Sequence, residues 1–130
     1  MKSVTITPRF CETDALGHIN NTAFAPWFEA GRIAYLGAMQ KEVGGEMPTW
    51  VIVSVQMDFG EETFFGEDVI VEVFPTAIGN TSITLGCRMY QSGRLTVRAK
   101  GVLVYLGLER KKVAIPDAVR KVLERDLQEP

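Results

Sequence analysis

A single histidine, His18, and two cysteines, Cys11 and Cys87, are all the imidazole and thiol that this chain of 130 residues carries. With no second histidine and no cysteine pair at zinc-ligand spacing, no resident metal is expected. Two cysteines close one disulfide at most, and the opening residues MKSVTITPRF hold no apolar run suited to a signal peptide. A reducing cytoplasm is the expected setting. Long apolar runs are missing too, since nothing approaches the roughly 18 consecutive apolar residues of a membrane-spanning helix. A soluble chain with no membrane partner is expected. Nor is there an excess of charge of one sign: the formal net charge is −2, and Lys and Arg are scattered. No basic field exists to concentrate nucleic acid. A P-loop, a G-x-G-x-x-G turn and a G-x-S-x-G elbow are all absent, so nucleotide-phosphate chemistry and Ser/His/Asp catalysis lose their usual scaffolds.

What the chain does have is a change of hydrophobic period. Val4 and Ile6 alternate with Thr5 and Thr7 in a short strand that Pro8 places near a sheet edge or strand end. From about Thr22 to Lys41 the residues Phe24, Trp27, Phe28, Gly31, Ile33, Tyr35, Ala38 and Met39 recur at helical spacing and cover more than one stripe. Such a helix is expected to be buried on most sides. Pro26 falls in its first turn, where a missing N–H costs least, and Gly44-Gly45 ends it.

Beyond that break the period is two. Val51, Val53, Val55, Met57 and Phe59 are expected on one face and Ile52, Ser54, Gln56 and Asp58 on the other. Val69, Val71 and Val73, then Ile83, Leu85, Cys87 and Met89, then Leu95 to Tyr105 at every second residue, mark three more strands, with Thr96 on the polar side of the last. Short connections at Gly79-Asn80-Thr81 and Gln91-Ser92-Gly93 make neighbours antiparallel. Pro116-Asp117 opens a final helix to about Leu127. The expected architecture is one α+β domain over residues 1–130, with about five antiparallel strands around one long helix and a short C-terminal helix. Its other sheet face and its edges stay apolar, which predicts an oligomer.

One stretch concentrates chemistry. ETDALGHINN, residues 12–21, holds two carboxylates, the lone histidine and two adjacent amides just ahead of the long helix. Asn20, Asn21 and Thr22 are good N-cap types, and a lone Asp14 or His18 serves a turn as readily as a reaction. Together, however, a carboxylate and the unpaired N–H groups of a helix start supply two halves of an acyl-transfer site. The amides polarise a carbonyl while Asp14 attacks it or activates water. An ordinary aspartate is ionised at neutral pH and is a weak base. The substrate must therefore be activated already, as a thioester is.

The segment RFCETDALGHINNTAFAPWFEAGRIAYL resembles the defining segment of the hotdog-fold acyl-CoA thioesterases of the 4-hydroxybenzoyl-CoA thioesterase-like group: Asp, two residues, Gly-His, a β-branched residue, Asn-Asn, then an aromatic and a Glu on the helix. The resemblance implies the hotdog fold and hydrolysis of an acyl-CoA to free acid and coenzyme A, with no cofactor and no metal. It implies Asp14 as the catalytic carboxylate, with His18 and Asn21 orienting the loop or the thioester. Backbone amides around Asn21, Thr22, Ala23 and Phe24 would hold the oxyanion, and Trp27 and Glu29 would border the substrate, Glu29 in an ion pair with Arg32 or a hydrogen bond to the loop. Phe24 stands where the group commonly has Tyr. The group also implies a homodimer or homotetramer with continuous sheets and sites at the interface. The cations Arg88, Arg94, Arg98 and Lys100 are available to the phosphates, though each reads more readily as a solvated strand charge. A thioesterase for acyl-carrier protein and a non-catalytic acyl-CoA-binding protein are the alternatives.

Overall fold

The structure, a computed structural model, describes residues 1–130. Five strands, β1 (Lys2–Ile6), β2 (Thr49–Phe59), β3 (Val69–Ile78), β4 (Ser82–Gln91) and β5 (Arg94–Leu106), form one antiparallel sheet in the order β1-β3-β4-β5-β2. The long helix α1 (Phe24–Val43) lies across its inner face, and α2 (Asp117–Asp126) packs against α1 and β3. This is the hotdog arrangement that the sequence resemblance implies. No helix is long and apolar enough to cross a membrane.

Register follows from which side chains must leave water. Val69, Val71 and Val73 of β3 and Ile83, Leu85, Cys87 and Met89 of β4 all point inward and are buried. Phe24, Trp27, Phe28, Tyr35, Leu36 and Met39 of α1 close the core over them. Burying each such side chain contributes about 1.5–3 kcal/mol. The β4–β5 hairpin turns in two residues, Ser92 (φ 53°) and Gly93 (φ 76°), the positive-φ pair that matches the twist of the strands.

Four expectations change. α1 is preceded by a 3-10 turn over Asn21–Ala23, so the α-helix proper starts at Phe24. Only one face of α1 is buried, and Ile33 is left 66% exposed. In β2 the register with β5 slips between Ile52 and Ser54, so Val53 sits in a bulge and the alternation reverses there. Ile52, not Val51 or Val53, shares the inner face with Met57, and its Cδ1 approaches Gly101 beside the Phe28 ring. A second slip at Met89/Tyr90 turns Thr96 inward, where it is buried and its hydroxyl donates to the Met89 carbonyl.

β2 is an edge strand paired only with β5. Val51, Val53, Val55 and Phe59 are exposed along it.

Candidate active site

Residues 12–21 fold into a loop pinned at both ends. The Asp14 amide donates to the His18 carbonyl (2.8 Å), and the Asn20 amide to the Glu12 carbonyl (2.7 Å). Asp14 Oδ1 accepts from the amides of Leu16 (2.9 Å) and His18 (3.2 Å), the bond set of an Asx turn. Its other oxygen, Oδ2, is bound by no group of the chain. Half-buried Asp14 thus closes its own loop with one oxygen and keeps the second free.

The loop is fastened to the helix by Glu12. Its Oε1 accepts from the Arg9 amide (2.8 Å), and its Oε2 from the Trp27 indole (3.0 Å). Burial disfavours its charge, but the bonds from Arg9 and Trp27 outweigh this and hold the carboxyl below the usual carboxylate range. A group whose folded pKa lies below its unfolded one stabilises the fold above the unfolded value, and that contribution is lost as pH falls through the folded value. Glu12→Gln is therefore expected to cost about 1–2 kcal/mol near neutrality, and less in acid. Urea unfolding of both proteins at neutral and acid pH checks this, and a gap that widens in acid contradicts it.

At the helix start Asn20 is the cap. Its Oδ1 accepts from the Thr22 amide (2.9 Å) and hydroxyl (2.9 Å), and its carbonyl takes the Ala23 amide (2.9 Å). The Asn21 amide makes no hydrogen bond within the chain. Asn20 thus does the structural work and leaves Asn21 available.

Asp14, His18, Asn21 and Phe24 border one cavity of about 350 Å³, which is closed by Phe59 at the end of β2 and by Glu61, Glu62 and Thr63 of the following loop. That loop is brought in by the Ile19 amide donating to the Thr63 carbonyl (2.8 Å) and by a β-bridge of His18 with Phe64. Gln91, fully buried, holds it from behind by clamping both the amide (2.9 Å) and the carbonyl (2.7 Å) of Phe64. The His18 ring stands edge-on to Phe64, with Nε2 3.3 Å from Glu62 Oε2.

The remaining expected residues lie elsewhere. Trp27 is buried in the core against Phe24 and is spent on Glu12. Thr22 is exposed and Ala23 buried, and neither borders the cavity. Glu29 borders a separate hollow of about 240 Å³ between α1 and β2. No ion pair joins it to Arg32, whose guanidinium instead lies 4.4 Å from the centre of the Phe28 ring. Glu62 and Gln91 were invisible in the sequence as partners of this loop, because nothing local ties them to residues some 40 or more positions earlier.

A family model described as the thioesterase-like superfamily matches residues 8–123. The chain belongs to that superfamily. Membership places it among thioester hydrolases. This thioesterase-family chain is similar in structure to a protein described as a predicted thioesterase, from Bacillus stearothermophilus, with a TM-score of 0.87, 32% identity, and 98% of this chain and 97% of that one covered. It is also similar to a Thermus thermophilus thioesterase solved with coenzyme A and zinc, with a TM-score of 0.80, 25% identity, and 93% and 95% coverage. An uncharacterised Bacillus subtilis protein, YsmA, is 31% identical over 80 residues, a match spanning 62% of this chain and 54% of that protein.

Proposed function

We propose that the chain hydrolyses acyl-CoA thioesters at the cavity between Asp14 and the start of α1. The observation that carries this reading is that a carboxylate with one unbonded oxygen and the unbonded Asn21 amide border the same cavity. In this reading the thioester carbonyl accepts from the Asn21 amide, which holds the oxyanion as it develops. Acting as base, Asp14 takes a proton from water as the C–O bond forms. The C–S bond then breaks, and the proton passes to the departing thiolate. Acting as nucleophile, Asp14 forms a mixed anhydride as the C–S bond breaks and the thiolate leaves, and it is regenerated when water cleaves the anhydride and yields the proton that the thiolate takes up. His18 positions Asp14 through its backbone amide, while its ring, held beside Glu62, walls the cavity. Phe24 and Phe59, with ring centres 5.5 Å apart, offer the acyl group an apolar side.

The substrate class is supported by the superfamily and by the coenzyme A held by the Thermus relative. Thiol release from a panel of acyl-CoAs, each beside the same acyl group on a carrier protein, tests the reading. Turnover of at least one acyl-CoA is expected, and binding without release over hours overturns it.

The same reading includes pairing of two subunits along β2, whose valine edge is long, exposed and free of lysine. Val53→Lys/Val55→Lys is expected to shift a dimer to monomer in analytical ultracentrifugation, with loss of turnover. An unshifted dimer rejects β2 as the seam.

A further inference from the structure

A buried hydroxyl rarely goes without a partner, because leaving it unpaired costs stability that a methyl in the same place would not. Three threonines near the Asp14 cavity have their hydroxyls committed. That of Thr13 donates to the Phe10 carbonyl (2.7 Å), that of Thr22 to Asn20 Oδ1 (2.9 Å) and that of Thr96 to the Met89 carbonyl (3.3 Å). Thr63 is the exception. It is 2% exposed, and its Oγ1, shut off from bulk water, has no hydrogen-bond partner in the chain. Four buried side-chain polar atoms are unpartnered, in Gln40, Trp50, Thr63 and Arg88, and of these residues only Thr63 borders the Asp14 cavity.

The backbone that carries this hydroxyl is fixed on both sides. The Thr63 carbonyl accepts from the Ile19 amide (2.8 Å), and the next residue, Phe64, is clamped by Gln91 and bridged to His18. With the main chain tied, χ1 alone decides which way the hydroxyl faces. Thr63 thus offers a donor on a rigid mount in a dry wall. Such a donor is worth more to a developing charge than a wet one, because no solvent competes for it.

The reaction has a place for it. A thioester oxygen carries two lone pairs, and it gains negative charge at the tetrahedral stage. The unbonded Asn21 amide meets one of them, while the Thr22 and Ala23 amides are already held by Asn20. We infer that Thr63 is a further catalytic residue, whose hydroxyl donates to the second lone pair of the thioester oxygen as its charge develops. The assignment rests on the acyl-CoA reading above and deepens it by completing the oxyanion site from the loop after β2. The proton stays on the hydroxyl throughout, so the bonds that form and break are those already described. A group unpaired in the free protein that gains its partner in the transition state raises kcat rather than affinity for substrate.

Valine has the shape of threonine with a methyl in place of the hydroxyl, and it separates this role from a structural one. Thr63→Val is expected to unfold at the same urea concentration as the wild type or a higher one. Its kcat for acyl-CoA is nevertheless expected to fall at least about tenfold, with KM within about threefold. Thr63→Ser keeps the hydroxyl and deletes a buried methyl, so it should show the reverse, a lower urea midpoint with most of kcat. Thr96→Val removes a hydroxyl that is already bonded, and is expected to lower the midpoint with kcat preserved. A hydroxyl that served only the fold would make kcat follow stability in all three. The second readout needs no turnover. A trifluoromethyl ketone analogue of acyl-CoA, whose carbonyl hydrates to a tetrahedral centre, is expected in calorimetry to bind Thr63→Val roughly tenfold more weakly than the wild type.

A Thr63→Val protein that turns over like the wild type, or that unfolds at lower urea, overturns the inference. If the wild type releases thiol but the ketone binds both proteins equally, the hydrolase reading stands and the hydroxyl contact fails. If no acyl-CoA releases thiol yet the ketone still distinguishes the two proteins, the hydrolase reading fails and the contact stands. No release together with equal affinity rejects both.

Discussion

Asp14→Asn is expected to lower kcat for acyl-CoA hydrolysis by roughly 10² or more while leaving the loop folded. Asparagine keeps a carbonyl oxygen where Asp14 Oδ1 accepts from the Leu16 and His18 amides, so the Asx turn survives. What disappears is the charge, and with it the oxygen that no protein group binds. Asp14→Ala removes both functions and is expected to lose activity and stability together. The pair separates the turn residue from the catalyst. If Asp14→Asn melts with the wild type and releases thiol as fast, Asp14 is a turn residue alone. Single turnover in ¹⁸O-water then tests the nucleophilic route, since label in the Asp14 carboxylate reports a mixed anhydride cleaved at the aspartyl carbonyl.

The division of labour within ETDALGHINN explains why so much of the site was legible. Asp14, His18 and Asn21 border one cavity because they lie within eight residues of one another, and a short loop ahead of a helix leaves such residues little freedom to separate. The caps were legible as a set but not individually. Asn20 and Asn21 are the same residue type in adjacent places, and only the structure shows that Asn20 takes the Thr22 and Ala23 amides. The far wall was illegible. Glu62 arrives on the loop after β2, which Gln91 of β4 holds from behind, and the path of that loop depends on β2 pairing with β5 rather than with β3. Hairpin signals reveal only neighbours joined by a short turn, and β2 has none. The bulges were illegible for a different reason, since the one extra residue at Val53 or at Thr96 breaks the alternation with no local mark in the sequence. Trp27 was misjudged because an aromatic residue on a helix next to an active loop reads alike whether it faces ligand or core. The Glu12 carboxylate, which accepts from the indole, decides it.

Gly31→Leu is expected to destabilise the fold by about 3 kcal/mol or more, the largest effect anticipated from a single change. At Gly31 the backbone of α1 lies close against β3. An added Cβ would lie 2.6 Å from Val73 Cγ2 and 3.1 Å from Val71 Cγ1, both on β3. Neither valine can give way easily. Both are completely buried, β-branched and confined to few rotamers, on a strand paired on both sides. Gly31→Ala gains about 1 kcal/mol in helix preference, which offsets part of a smaller clash and leaves it milder than the leucine variant. The cause is isolated by making room: in Gly31→Ala/Val73→Ala the new methyl enters space the valine vacates, so the double variant should be less destabilised than the sum of its parts. Urea unfolding of the four proteins measures that coupling. Additive losses would place the strain somewhere other than the α1–β3 contact. Because the 3-10 turn that carries Asn21 runs directly into α1, a lifted α1 should also move that amide away from Asp14, and Gly31→Ala should lose kcat beyond what its folded fraction explains.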